Sequence, residues 1–175
     1  MTQTENHAKQ QAVAQYDSVL SMVNALDLDW DRLQELRDER DNCVTADDEG
    51  NESPSEPGTW ERLFPAEAQE LAELEKIAGE WQDWDDVRRA IDEDPLEVSV
   101  RSGWATPHDA LNPEEFRILL CTGGPAVQIL GELDGNGQVS RAWLEYQDWG
   151  TPWTQYFDAD SRILCRYAEE FFPGF

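Results

Sequence analysis

Glu132 to Trp143, ELDGNGQVSRAW, is the stretch whose residue types and spacing come nearest to a metal site. Glu132, Asp134 and Asn136 take alternate positions ahead of Gly137, as the oxygen ligands of a calcium-binding EF-hand loop do. The twelfth position, where that loop needs a bidentate glutamate, is Trp143, and the flanks alternate like strands rather than helices. A hairpin turn made of Asp, Gly and Asn accounts for the same letters. Thr122, Gly123 and Gly124 also follow a strand pattern and could offer backbone amides to an anion. No Lys and no helix follows them, so a tight strand connection is the expected structure. No metal site and no cofactor is assigned.

Histidine and thiol chemistry have little to work with. His7 lies close to the N-terminus and His108 in a proline-containing loop, neither in an HExxH pattern, and there is no GxSxG elbow. Cys121 could pair with His108 only if folding brought the two together, and a cysteine on a strand is more often a small buried apolar residue. Adjacent carboxylates such as Asp47 and Asp48, or Asp85 and Asp86, follow from composition alone in a chain with 38 acids. They do not single out the acid pair of a glycosidase. No catalytic residue is assigned.

The acids are themselves the main chemical signal. Set against 13 Lys and Arg, they leave a net charge of −25, and self-repulsion on that scale opposes a compact fold. The charge is spread along the chain, with most of the acids before residue 96. A basic footprint that neutralises phosphates is missing, which argues against direct binding of nucleic acid or an anionic membrane and for a cationic partner. Duplex DNA carries one negative charge per ~1.7 Å of axis, so the net charge matches that of about 12 base pairs. The residues expected to face such a partner are Asp29, Asp31, Glu35, Asp38, Glu39 and Asp41, then Glu67, Glu70 and Glu73, then Asp83, Asp85 and Asp86, with Asp27, Glu75 and Glu80 beside them. Trp143, Trp149 and Trp153 join the set because Trp and Tyr dominate binding hot spots. Core packing is the competing role for the rings, and solubility or adaptation to salt the competing role for the acids.

The elements that must position these residues are read from periodicity. Residues 1–7 are expected to fray, and from Ala8 the positions Val13, Tyr16, Val19, Leu20, Val23 and Leu26 mark one face of a helix. Asp29 is the expected N-cap of a second helix with Leu33 and Leu36 inward. Residues 45–58, TADDEGNESPSEPG, hold no large apolar side chain and are expected to form a mobile linker. Pro65 suits the first turn of a third helix with Leu71, Leu74 and Ile77 or Ala78 inward and Gly79 as its stop. Asp83 caps a fourth, with Trp84, Val87 and Ile91 on one face and Pro95 beyond it.

From Leu96 the period changes to two. Leu96, Val98 and Val100 alternate with polar residues in a first strand, and residues 103–112 form a loop. Strands then flank ThrGlyGlyPro, and AspGlyAsnGly at 134–137 turns the second of them into a third over residues 139–149. So short a turn leaves no room for a crossover, so the pairing is antiparallel. Residues 153–157 add a further short strand. Asp158 is expected to cap a last helix with Ile163, Leu164, Tyr167 and Phe171 inward, ended by Pro173 and Gly174. The expected fold class is α+β, with about four N-terminal helices packed with a C-terminal antiparallel meander of four to five strands and a final helix. An acidic helical region at 1–95 and a sheet region at 96–175 are expected to form one unit. Cys43, Cys121 and Cys165 are odd in number and lack metal-ligand spacing, which fits free thiols in a reducing cytosol. No signal peptide and no transmembrane run is legible.

EDPLEVSVRSGW at 93–104, FRILLCTGGPAVQILGELD at 116–134, AWLEYQDWGTPW at 142–153 and, more loosely, YDSVLSMVNALDLDWDRLQELRDER at 16–40 carry a likeness. The chain resembles a group of small acidic proteins carried by bacterial plasmids, integrative elements and phages. In general character it is similar to the DNA-mimicking inhibitors of host restriction and CRISPR systems. The resemblance implies no catalytic residues. The expected role is therefore a non-enzymatic acidic inhibitor of a basic nucleic-acid-binding protein, acting in the cytoplasm by standing in for phosphates. The alternatives are an antitoxin or immunity protein against a cationic nuclease, a small hydrolase or metal-dependent enzyme, and an acidic accessory subunit.

Overall fold

A computed structural model describes residues 3–46, 50 and 52–174, and its fold is α+β. The elements in order are helix α1 (Gln3–Leu26), helix α2 (Trp30–Asp41), strands β1 (Val44–Ala46) and β2 (Glu52–Pro54), and helices α3 (Thr59–Leu63), α4 (Pro65–Ala78) and α5 (Trp84–Glu93). The meander follows as β3 (Glu97–Arg101), β4 (Glu115–Cys121), β5 (Ala126–Leu133), β6 (Val139–Gln147) and β7 (Thr154–Gln155), and helix α6 (Ser161–Glu169) closes the series. Two compact units divide the chain, Asn24–Asp86 on one side and Met1–Val23 with Val87–Phe175 on the other.

In the unit Asn24–Asp86, local chemistry sets the helix starts. The Asp29 carboxylate accepts the Arg32 backbone N–H at 2.9 Å and caps α2 as its sequence position requires. Pro65 opens α4, and Gly79 ends it in a positive-φ conformation. Leu33, Leu36, Trp60, Leu71 and Ala78 form the buried core, with Leu28, Trp30, Cys43, Ala68 and Leu74 packed against it. Ala78 rather than Ile77 is the inward residue at the end of α4. Trp60 arrives on α3, a five-residue helix that periodicity does not reveal because it is barely longer than one turn. The segment expected as a linker carries the antiparallel ladder Val44↔Pro54, Thr45↔Ser53 and Ala46↔Glu52. Residues 47–49 and 51 of that segment lie outside the described residues.

In the other unit the five-stranded sheet runs β3-β4-β5-β6-β7 with every neighbour antiparallel. Strand alternation sends Phe116, Ile118, Val127, Ile129, Ala142 and Leu144 to a buried face. Leu164, Tyr167 and Ala168 of α6 are buried as well, and the Ser161 hydroxyl donates to the Ala142 carbonyl at 2.8 Å. The Phe172 ring lies 4.8 Å from that of Phe116. Gly131 is required where Phe116 crosses it, since a Cβ there would fall 2.2 Å from the ring. The AspGlyAsnGly turn is tied by Asp134, whose carboxylate accepts the N–H groups of Asn136 and Gln138 at 2.8 and 3.0 Å.

Several expectations are corrected. Helix α1 begins at Gln3, so His7 is an exposed helical residue rather than part of a frayed tail. The cap of α6 is Asp160, whose carboxylate accepts the Arg162 N–H at 2.9 Å, because the turn after β7 uses two more residues than expected. Trp84 is 39% exposed while Val87 and Ile91 are buried. Strand β6 ends at Gln147, so Trp149 lies beyond it and does not share its face by alternation. Strand β3 forms where alternation places it, over Glu97–Arg101. Its Val98 and Val100 lie opposite Ile118 and Phe116, yet they stay 38% and 51% exposed because β3 is the edge strand.

Candidate functional site

Helix α2 has two unlike faces. Leu33 and Leu36 point into the core, and Arg32, Arg37 and Arg40 flank them toward α4. Arg32 holds Glu70 with two parallel bonds, from Nε at 3.0 Å and Nη2 at 2.9 Å, and reaches Glu35 through Nη1 at 2.6 Å. Such forked pairing favours Arg over Lys. The hydrogen bonds from Arg32 keep the Glu70 carboxyl below the usual carboxylate range. Glu75 is approached by Arg37 and Arg40, each at 3.4 Å, and Arg40 also meets Asp41 at 3.0 Å. The arginines of α2 are thus spent between helices.

Opposite them runs a ridge of Asp31, Gln34, Glu35, Asp38, Glu39 and Asn42 that borders a shallow surface depression. Asp38 accepts a hydrogen bond from Gln34 at 2.7 Å. Among the described residues, no Lys or Arg lies within ion-pair distance of Asp31, Asp38 or Glu39. From Asp31 to Glu39 the helix rises ~12 Å and carries four carboxylates, at uneven axial steps of about 6, 4.5 and 1.5 Å with a mean of about 4 Å. One strand of B-DNA advances 3.4 Å per phosphate.

The structure sorts the expected acids accordingly. Asp31, Glu35, Asp38 and Glu39 come together on the ridge. Asp29 is committed to capping α2, Asp41 to Arg40, and Glu70 to Arg32. On α4, Glu67 occupies the first turn, where its charge complements the helix dipole, and Glu73 points outward with Gln69 donating to it at 3.0 Å. Asp83 accepts the Asp86 N–H at 2.8 Å and caps α5, and Asp85 is exposed in the same turn. Gln34 and Asn42 are ridge members that are not acids, although Gln34 at i+3 from Asp31 and Asn42 at i+4 from Asp38 fall on the same helix face.

Trp143, Trp149 and Trp153 belong to the other unit, and they do not form one patch by strand alternation. Trp149 is 78% exposed, but its indole N–H donates to the Gly123 carbonyl at 2.9 Å. A Cβ on Gly124 would lie 1.7 Å from the indole, so the ThrGlyGly loop serves as the seat for this ring. Trp153 is exposed beside β7. Trp143 lies on the sheet face opposite the core, with its indole N–H on Glu145 at 3.1 Å and the Arg141 guanidinium 5.3 Å from its ring centre. There a groove of about 400 Å³ is lined by Ser99, Arg101, Glu115, Arg117, Leu130 and Trp143, among others. Arg101 pairs with Glu115, and Arg117 with Glu97 at 2.6 Å, which lowers the Glu97 carboxyl. The sequence does not reveal this groove, because its residues meet only through strand register.

The Cys121 thiol, a candidate nucleophile by sequence, is pushed up by burial and sits by Gln11 and the Val127 backbone. That shift is opposite to the one an activated thiolate needs. Among the described residues no group of three or more His, Cys, Asp or Glu is placed to hold a metal ion, and no helix is long and apolar enough to cross a membrane. No family model matches the chain, and comparison with the curated proteins and with the solved structures returns no match.

Proposed function

We propose that the chain is a non-enzymatic acidic inhibitor that binds a basic nucleic-acid-binding protein, of the kind found in host restriction or CRISPR defence, and occupies its nucleic-acid groove. The cytoplasm is where such a target would be met. The observation that supports the reading most is the α2 ridge, where Asp31, Glu35, Asp38 and Glu39 line one exposed face while Arg37 and Arg40 reach toward α4 and Arg32 is shared between Glu70 and Glu35. Carboxylates in that array would meet Arg and Lys side chains placed for a nucleic-acid strand, and the surplus negative charge would steer association.

The reading is tested by capture from a bacterial lysate on the tagged wild-type chain and on a variant with Asp31→Asn, Glu35→Gln, Asp38→Asn and Glu39→Gln. Retention of a basic nucleic-acid-binding protein at low salt, its release at high salt, and its loss on the variant are the expected results. Equal capture by both chains, or capture indifferent to salt, would remove the ridge from the account.

A further inference from the structure

Strand β3 is an edge that no proline or bulge blunts, and its two charged residues, Glu97 and Arg101, are drawn into ion pairs with β4. Exposed edges are commonly blunted by proline, a bulge or an inward-pointing charge. Glu97–Arg101 contains no proline, pairs with β4 in unbroken register, and turns Val98 and Val100 to the core side of the sheet, where both remain exposed. Leu96, just before the strand, is 61% exposed. Among the described residues, no strand pairs with the outer edge of β3.

The sequence of this edge, Glu-Val-Ser-Val-Arg, is complementary to its own reverse. Placed antiparallel to a second copy with Ser99 on the two-fold axis, Glu97 faces Arg101 of the other chain, Val98 faces Val100, and the same pairs recur on the far side of the axis. Direct cross-strand partners share a face, so the valines meet on one face and the charges on the other. The charges then join pairs already present, since Glu97 is held by Arg117 and Arg101 by Glu115. The result is an alternating row Arg117, Glu97, Arg101, Glu115 across the junction. The strand itself is neutral, with one Glu and one Arg, in a chain of net charge −25, so its own charges add no repulsion between copies. We propose that the chain forms a homodimer through antiparallel β3–β3 pairing, joining the two sheets into one. A foreign strand would need the same charge order, which a second copy carries by construction.

The test combines sedimentation with site-specific cross-linking of the full chain. The wild type should sediment at twice the monomer mass as concentration rises. Glu97→Arg or Arg101→Glu alone places like charges opposite each other at both symmetry-related positions and should weaken self-association by about tenfold or more. Mixing the two single variants restores opposite charges across the junction and should restore the dimer, a rescue that misfolded chains would not give. Ser99→Cys should form an intermolecular disulfide under mild oxidation, because facing Cα atoms at about 4.5–5.5 Å are within disulfide reach. Cys43, Cys121 and Cys165 in the wild type provide the background for that measurement. A wild type that stays monomeric at every concentration, a mixture that does not recover the dimer, or a Ser99→Cys chain that cross-links no more than the wild type would overturn the proposal.

Discussion

Asp94 shows how a single carboxylate in so acidic a chain can be structural. It accepts the Tyr167 hydroxyl at 2.6 Å, and burial raises its carboxyl above the ordinary value. Its protonated form is the one the fold prefers, so the stability it contributes is present below the unfolded pKa and is lost as pH rises through the folded one. Asp94→Asn keeps an acceptor for Tyr167 and should raise the melting temperature at neutral pH, with the gain shrinking as melting is repeated toward acid pH. Tyr167→Phe leaves the buried carboxylate without its donor and should cost about 1–3 kcal/mol in urea unfolding at pH 7. Glu70, Glu97 and Asp160 behave oppositely, because Arg32, Arg117 and Arg162 lower them. Their contributions are present above the unfolded pKa and are lost as pH falls through the folded values. Among the described residues Asp31, Asp38 and Glu39 have no such partner, so replacing them with Asn or Gln should leave the melting temperature unchanged or raise it through reduced repulsion. A marked fall on thermal unfolding would show that the ridge is part of the scaffold.

At the scale of elements, α2 depends on its apolar face, and Leu36→Ala should destabilise by about 2–5 kcal/mol in urea unfolding because Leu36 is fully buried. In the sheet, Gly131→Ala should cost about 1–3 kcal/mol or more by forcing the Phe116 ring from its place. Most of these elements were legible from short-range pattern. Leu33 and Leu36 repeat at helical spacing, Asp29 and Pro65 sit where helices start, and the AspGlyAsnGly turn fixes the β5–β6 hairpin. What sequence did not disclose depends on contacts remote along the chain. The Arg32–Glu70 fork joins residues 38 positions apart, which no local period reports. The exposure of Val98 and Val100 follows from β3 lying at the sheet edge, whereas alternation alone predicts a half-buried strand. The ridge was legible as a run of acids, but its separation from Glu70 and Asp41 was not, because it depends on where the arginines turn.

At the scale of the whole molecule, a net charge of −25 makes salt a stabiliser. Screening weakens repulsion among many exposed acids more than it weakens a few well-made arginine forks. The melting temperature should therefore rise as sodium chloride increases at pH 7, and a steady fall would mean that the ion pairs dominate. The same charge is what the proposed inhibition uses, and displacement of nucleic acid tests that claim most directly. A labelled duplex is bound to the captured basic partner and titrated with the wild-type chain or with the chain neutralised at Asp31, Glu35, Asp38 and Glu39. The account predicts that the wild type displaces the duplex, needs a higher concentration to do so as salt rises, and loses about tenfold or more in potency when the ridge is neutralised. A partner that binds chain and duplex together, or a neutralised chain as potent as the wild type, would contradict it.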